Sequence, residues 1–250
     1  ILLCLAMALS LLPTAALADE TTANPVKIGE TTEYETLDAA IDAAKDGETI
    51  TILKAAEDES GYKLNGNLTY SGKAITIKAA DGTNVKFDMS AAVALHGAKI
   101  TFEGVTFDYK TNGNYIGIQH ADTLVYNNCT INGQVFLYAA SETFNGCTFN
   151  QDSADAYNVW TYGAKKVEFN GCKFNCVGKS VLVYNEGAVS STDLTVTDTK
   201  FEASAPVEGK AAIEIDTSLM KGQTKITVDQ ATADKTTGFD TGSNSGSSLW

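Results

Sequence analysis

The sequence predicts an all-β solenoid, a right-handed parallel β-helix of three sheets with a short capping α-helix at its amino end, and three observations predict it. A strand-turn-strand motif recurs five times: Ile100-Thr-Phe-Glu-Gly-Val-Thr-Phe107, Leu124-Val-Tyr-Asn-Asn-Cys-Thr-Ile131, Glu142-Thr-Phe-Asn-Gly-Cys-Thr-Phe149, Val167-Glu-Phe-Asn-Gly-Cys-Lys-Phe174 and Leu194-Thr-Val-Thr-Asp-Thr-Lys-Phe201. Its third residues, Phe102, Tyr126, Phe144, Phe169 and Val196, lie 24, 18, 25 and 27 positions apart, a solenoid period with variable loops. A third apolar segment precedes each copy, so each repeat supplies three strands and the stack has three sheets. One repeat cannot bury its own apolar side chains, whereas stacked repeats can.

From the amino end, Ile1 to Leu12 is an apolar run too short to span a bilayer, followed by Pro13 and the small residues Ala15-Ala16-Leu17-Ala18. Residues 1–18 therefore read as a secretory signal segment and 19–32 as an amino-terminal extension. The folded body is expected over 33–235. It opens with an amphipathic helix in which Leu37, Ala40, Ile41 and Ala44 share a face, Thr36 caps, and Asp46-Gly47 stops the helix before the strand Thr49-Ile-Thr-Ile-Leu53. Its place at an open end of the stack makes it a cap. The array closes on a looser copy, Ile226-Thr-Val228, and residues 236–250, rich in Gly, Ser and Thr, read as a tail or linker.

The turn pairs Glu103-Gly104, Asn127-Asn128, Asn145-Gly146, Asn170-Gly171 and Thr197-Asp198 bend the chain within about two residues, where Gly, Asn and Asp tolerate left-handed backbone. In register, Asn145 and Asn170 form an asparagine ladder. Cys129, Cys147 and Cys172 share the next motif position with Val105 and Thr199, so they read as small buried residues stacked inward. Neighbouring strands about 4.8 Å apart would allow a disulfide among them without demanding one. Cys176 follows Cys172 too closely for a zinc site without further ligands.

The third segments are Val93-Ala-Leu95, Ile116-Gly-Ile118, Val135-Phe-Leu137, Val159-Trp-Thr161, Val181-Leu-Val183 and Ala212-Ile-Glu-Ile215. Strand alternation turns Val93, Leu95, Val135, Leu137, Val181, Val183, Ile213 and Ile215 inward. One outward row is then Ala94, Ile118, Phe136, Trp160, Leu182 and Glu214. The next is His96, His120, Tyr138, Tyr162, Tyr184 and Asp216. This collects Phe136, Tyr138, Trp160, Tyr162 and Tyr184 into an aromatic stripe, with His96 and His120 as a stacked pair at its end. Such a patch suits sugar rings or a protein surface. A loop folded over it, from Asn150–Tyr157 or Glu202–Lys210, would make it a satellite core instead.

At the cap, Leu37-Asp-Ala-Ala-Ile-Asp-Ala-Ala-Lys-Asp-Gly47, and at the repeated Phe-Asn-Gly-Cys-x-Phe, the chain resembles the pectate-lyase-like right-handed parallel β-helix superfamily over about residues 33 to 233. The resemblance implies a fold and leaves activity open, because lyases, hydrolases, esterases and non-catalytic surface proteins share it. It also implies that polysaccharide lies on the outer face of the third sheet. Catalytic members use an Arg or Lys base beside carboxylate-held calcium, or clustered aspartates. This chain has no Arg, and no Asp-Asp pair or Asn-Thr-Asp run on the matching strands.

Glu214 and Asp216 are the remaining catalytic candidates, as one strand presents both outward and glycoside hydrolysis needs two carboxyl groups. Glu57-Asp58-Glu59 is a candidate calcium turn without the spacing of a calcium loop. No other cofactor is expected. A net charge of -13 argues against nucleic acid and anionic lipid. The expectation is a secreted or cell-surface module, non-catalytic, that binds extracellular glycan or a host surface protein through its aromatic sheet. The alternatives are a polysaccharide lyase or glycoside hydrolase and a structural stalk.

Overall fold

A computed structural model describes residues 24–110, 115–185, 191–216, 218–219 and 222–241; the signal segment and residues 242–250 of the tail lie outside them. These residues are mostly β, arranged in long parallel sheets compatible with a solenoid. The first sheet has ten strands in the spatial order Thr32–Tyr34, Val26–Ile28, Thr49–Ile52, Ala74–Ala79, Lys99–Glu103, Thr123–Asn127, Ser141–Asn145, Lys166–Asn170, Asp193–Thr197, Ile226–Val228. The second has six: Lys86–Met89, Thr106–Tyr109, Thr130–Asn132, Thr148–Asn150, Lys173–Cys176, Lys200–Ala203. On the third side Val93–Ala94 pairs with Ile118–Gln119, and Val135–Phe136, Val159–Trp160, Val181–Tyr184 and Ile213–Asp216 form a separate four-stranded sheet.

The repeat is the register. Phe102, Tyr126, Phe144, Phe169 and Val196 occupy one row of parallel-paired strands. The spacing of the motifs had this pairing in it, since only parallel stacking puts like residues together while satisfying the edge of each strand. Two ring columns result. Phe102, Tyr126, Phe144 and Phe169 stack along the first sheet, and Phe149, Phe174 and Phe201 along the second, with the Tyr126–Phe144 and Phe149–Phe174 rings nearly parallel at 4.4 and 4.3 Å between centroids. The columns meet edge to face, as between Phe169 and Phe174 at 90°. All seven rings are buried.

The tight turns adopt the expected backbone: Gly104, Asn128, Gly146, Gly171 and Asp198 all have positive φ between 50 and 64°. Beside them Asn145 Nδ2 donates to Asn127 Oδ1 at 2.9 Å and Asn170 Nδ2 to Asn145 Oδ1 at 3.0 Å. A second ladder on the outward face of the second sheet was not foreseen. There Asn132, Asn150 and Asn175 each donate to the residue before them in the column, beginning at Asp108, at 2.7, 2.9 and 2.8 Å.

Cys129, Cys147 and Cys172 stack inward as free, buried thiols directed at the carbonyls of Phe102, Tyr126 and Phe144 in the preceding repeat. The adjacent sulfurs of Cys129 and Cys172, and then burial, raise the Cys147 thiol well above its ordinary range. Cys176, also a free buried thiol, stands apart from this column, in register with Ala203.

Helix α1 (Leu37–Ala43) forms as its pattern requires. Thr36 Oγ1 accepts from Ala39 N at 3.1 Å, and Leu37, Ala40, Ile41 and Ala44 are buried. The hairpin of Val26–Ile28 and Thr32–Tyr34 joins the first sheet antiparallel at this end, so the extension takes part in the fold. At the other end, helix α2 (Gln230–Lys235) is capped by Asp229 and packs on Asp193–Thr197 of the first sheet and Lys200–Ala203 of the second. After it Thr237 and Asp240 bridge in parallel to Glu202 and Glu208.

Candidate functional site

The four-stranded sheet positions the aromatic cluster. Val135, Val159 and Val181 are in register facing inward, and the next residues Phe136, Trp160, Leu182 and Glu214 form one outward row. Flanking Trp160, Val159 and Thr161 are fully buried, which fixes the outward turn of the indole. Tyr162 and Tyr184 stand beside it. Phe136–Trp160, Phe136–Tyr162, Tyr138–Tyr162, Trp160–Tyr184 and Tyr162–Tyr184 centroids are 5.2–5.7 Å apart, so the predicted stripe is one contiguous ring cluster.

Two aspects of the expected stripe need correction. Phe136 is only 4% exposed and Leu182 8%, because the rings tilt over one another; Phe136 is the floor of the cluster, with Trp160, Tyr162, Tyr138 and Tyr184 half-buried above it. The expected first outward row also slips by one in the early repeats. Ala94 pairs with Gln119, whereas Ile118 pairs with inward Val93 and is 2% exposed. The irregularity sits at Gly117, where a Cβ would come within 1.9 Å of Phe136 O; the backbones approach too closely for any side chain. Ile215, expected inward, is 49% exposed, since no further strand of the described residues covers that sheet edge.

His96 and His120 do stack, at 4.6 Å and 6°, but they ride on the separate two-stranded sheet. Both are exposed. The ring that extends the cluster on that side is Tyr115, which the expected rows did not include. It is 51% exposed, contacts Phe136 and Tyr162 at 5.1 and 5.4 Å, and its carbonyl accepts from Tyr138 Oη at 2.9 Å. Its φ of 50° places it in left-handed backbone, a conformation no apolar pattern announces.

Polar groups fix the rim. With its amide oriented to suit its neighbours, Gln134 accepts from Trp160 Nε1 at 3.0 Å and from Tyr157 N at 3.1 Å. Tyr157, from the loop after Asn150, meets Trp160 edge-on at 5.9 Å, so that loop closes one margin of the cluster without roofing it. Tyr157 Oη donates to Glu214 Oε2 at 3.0 Å, and Lys210 Nζ donates to the same oxygen at 2.8 Å. Burial, then the Glu214 carboxylate, pushes the Tyr157 hydroxyl up to about 12. The hydrogen bond to Glu214 raises Lys210 as well. Glu214 is thus engaged in an ion pair with Lys210, while the side-chain hydroxyl of Ser218, and then its backbone N–H at 2.9 Å, bond Asp216 in a turn and lower its pKa.

The other acidic candidate closes a turn. Asp58 accepts from Ser60 N and Oγ at 2.9 and 2.7 Å, and those bonds hold its carboxyl below the usual range. Among the described residues, no three His, Cys, Asp or Glu side chains converge as a metal site would require. No helix among them is long and apolar enough to cross a membrane. No family model, curated protein or solved structure matches the chain.

Proposed function

We propose that this chain is a non-catalytic extracellular module that binds glycan on the third-sheet ring cluster, carried by a right-handed parallel β-helix of pectate-lyase-like type. The observation that carries the reading is the contiguity of Tyr115, Tyr138, Trp160, Tyr162 and Tyr184 as half-buried or exposed rings packed on one sheet face. A monomer gains nothing from leaving such a surface wet, and aromatic planes bearing hydroxyls pack against the C–H faces of pyranoses while bonding their rims. Anchoring of Trp160 through Gln134 supports the same reading, because a ring fixed before binding loses little side-chain entropy on contact.

A glycan array probed with wild type, Trp160→Ala and Tyr162→Ala tests this. Binding by wild type to a defined glycan class and loss of most of that signal in both variants is expected. Signal that persists unchanged in both, or none from wild type, removes the proposal.

The hydrolase reading draws on one feature, the buried Glu214 Oε1, which lacks a hydrogen-bond partner. Reducing-end and unsaturated-product assays on neutral and uronate polysaccharides, with and without calcium, decide it. Turnover abolished by Glu214→Gln would replace the binding reading.

A further inference from the structure

The second asparagine ladder lies on a different face from the ring cluster, and it lines a cleft of about 830 Å³. Asn132, Asn150 and Asn175 stand in strict register on three successive strands of the second sheet. Each gives one amide hydrogen to the carbonyl or carboxylate before it, so each keeps a second N–H, and its oxygen has a second lone pair. The ladder also fixes the amide planes. Their donors and acceptors are therefore preorganised at the inter-strand repeat of about 4.8 Å.

The walls suit a chain of hydroxyls. Tyr109 closes the cleft beyond the Asn132 end, and Val177 and Cys176 contribute apolar surface beside the amides. Gln151, 5% exposed, is fixed at the wall: its amide donates to Tyr157 O at 3.3 Å and accepts from Ser153 N at 3.0 Å. The charges at the ends are engaged, Asp108 by Asn132 and Lys86, Glu202 by Lys200 and Lys173. A volume within the usual ligand range, neutral polar groups in a fixed row and some apolar wall describe a site for an uncharged ligand with alternating hydroxyls and C–H faces.

We infer that this cleft is a second binding site, for a linear neutral oligosaccharide laid along the asparagine column. It is independent of the ring cluster. An anionic sugar is disfavoured, because Asp152 and Glu202 line the cleft and the Asp108 carboxylate stands at the head of the ladder, against Lys110 as the one cation among the described lining residues.

The test uses the full chain, titrated with linear hexasaccharides of glucose, xylose, mannose and galactose and with a uronate hexasaccharide, while the side-chain amide resonances of Asn132, Asn150 and Asn175 are followed by NMR. At least one neutral hexasaccharide is expected to shift these resonances. Ser204→Trp, which fills the cleft from its exposed rim, is expected to weaken the effect by about tenfold or more, whereas Trp160→Ala leaves it intact. Asp152→Trp provides an independent block should Ser204→Trp fail to fold. Amides silent to every neutral probe, shifts for the uronate alone, or shifts unaffected by both blocking variants would overturn the assignment. Shifts confined to ring-cluster resonances would overturn it too while leaving the proposed function standing.

Discussion

Glu142 carries the most unusual residue-level chemistry among the described residues. It stands in register with Ile100, Leu124, Val167 and Leu194, the apolar first position of the motif, and is 2% exposed. Its Oε1 accepts from Tyr138 N and Ala139 N, both at 3.0 Å, which closes the turn between the third and first sheets and holds Tyr138 in the ring cluster. Burial outweighs those two bonds and pushes the carboxyl up to about 8. A folded-state value above the unfolded one means that proton uptake stabilises the fold; this contribution is complete below about pH 4.5 and is lost as pH rises through about 8. Glu142→Gln keeps the acceptor and removes the charge. Its thermal midpoint is expected to exceed that of wild type at pH 9 by roughly 5–10 °C, corresponding to a few kcal/mol, with the gap shrinking towards pH 5. Parallel pH profiles would refute this account. Gly117 is the second such residue: Gly117→Ala must move the Phe136 carbonyl, so a lowered midpoint is expected together with a shifted Trp160 fluorescence spectrum.

At the scale of elements, the ladders and turns make the parallel sheets directional. Asn145, in the middle of the first ladder, bonds both neighbours, so Asn145→Ala removes two side-chain bonds, to Asn127 and Asn170, near solvent. Net losses of about 0.5–1.5 kcal/mol per bond place the expected cost at about 1–3 kcal/mol in urea unfolding. Gly146→Ala tests the adjoining turn differently. Its φ of 61° and the nearby Asn128 Oδ1 penalise any side chain, whereas Gly171, with the same φ and open space, isolates the backbone part of that penalty. The greater loss is expected at Gly146, and equal losses would show that the Asn128 contact is unimportant. The turns, the first ladder and the capping helix were legible in the sequence because their signals are local: a period, a turn dipeptide, a helical face with its Thr36 cap. The amino-terminal hairpin was not, since three-residue strands such as Val26–Ile28 offer too little alternation to read.

For the whole molecule, stacked repeats make stability a sum over neighbours with no central point. Phe149 lies in register between Ile131 and Phe174 of the flanking repeats and touches Phe144, Phe169 and Phe174. Phe149→Ala is expected to cost about 3–5 kcal/mol and to speed amide exchange in the repeats on both sides. Exchange that accelerates only at residues 148–150 would contradict coupling through the stack. The opposite end of the range is the edge at Ile213–Asp216, where exposed Ile215 marks weaker packing and faster exchange is expected.

The sequence by itself determined the periodicity, the parallel register it enforces, the left-handed turns, the capping helix and the inward cysteines, because each depends on residue order and on contacts between equivalent positions. It also located Trp160, Tyr162 and Tyr184 on one outward face, as alternation is a property of the strand. Only tertiary structure decided how that face is finished. Tyr115 reaches it through a left-handed residue, Gln134 and Tyr157 fix its rim, Lys210 neutralises Glu214, and Phe136 sinks beneath its neighbours. Those outcomes depend on loops of unequal length meeting across repeats, and no local pattern encodes where a loop lands.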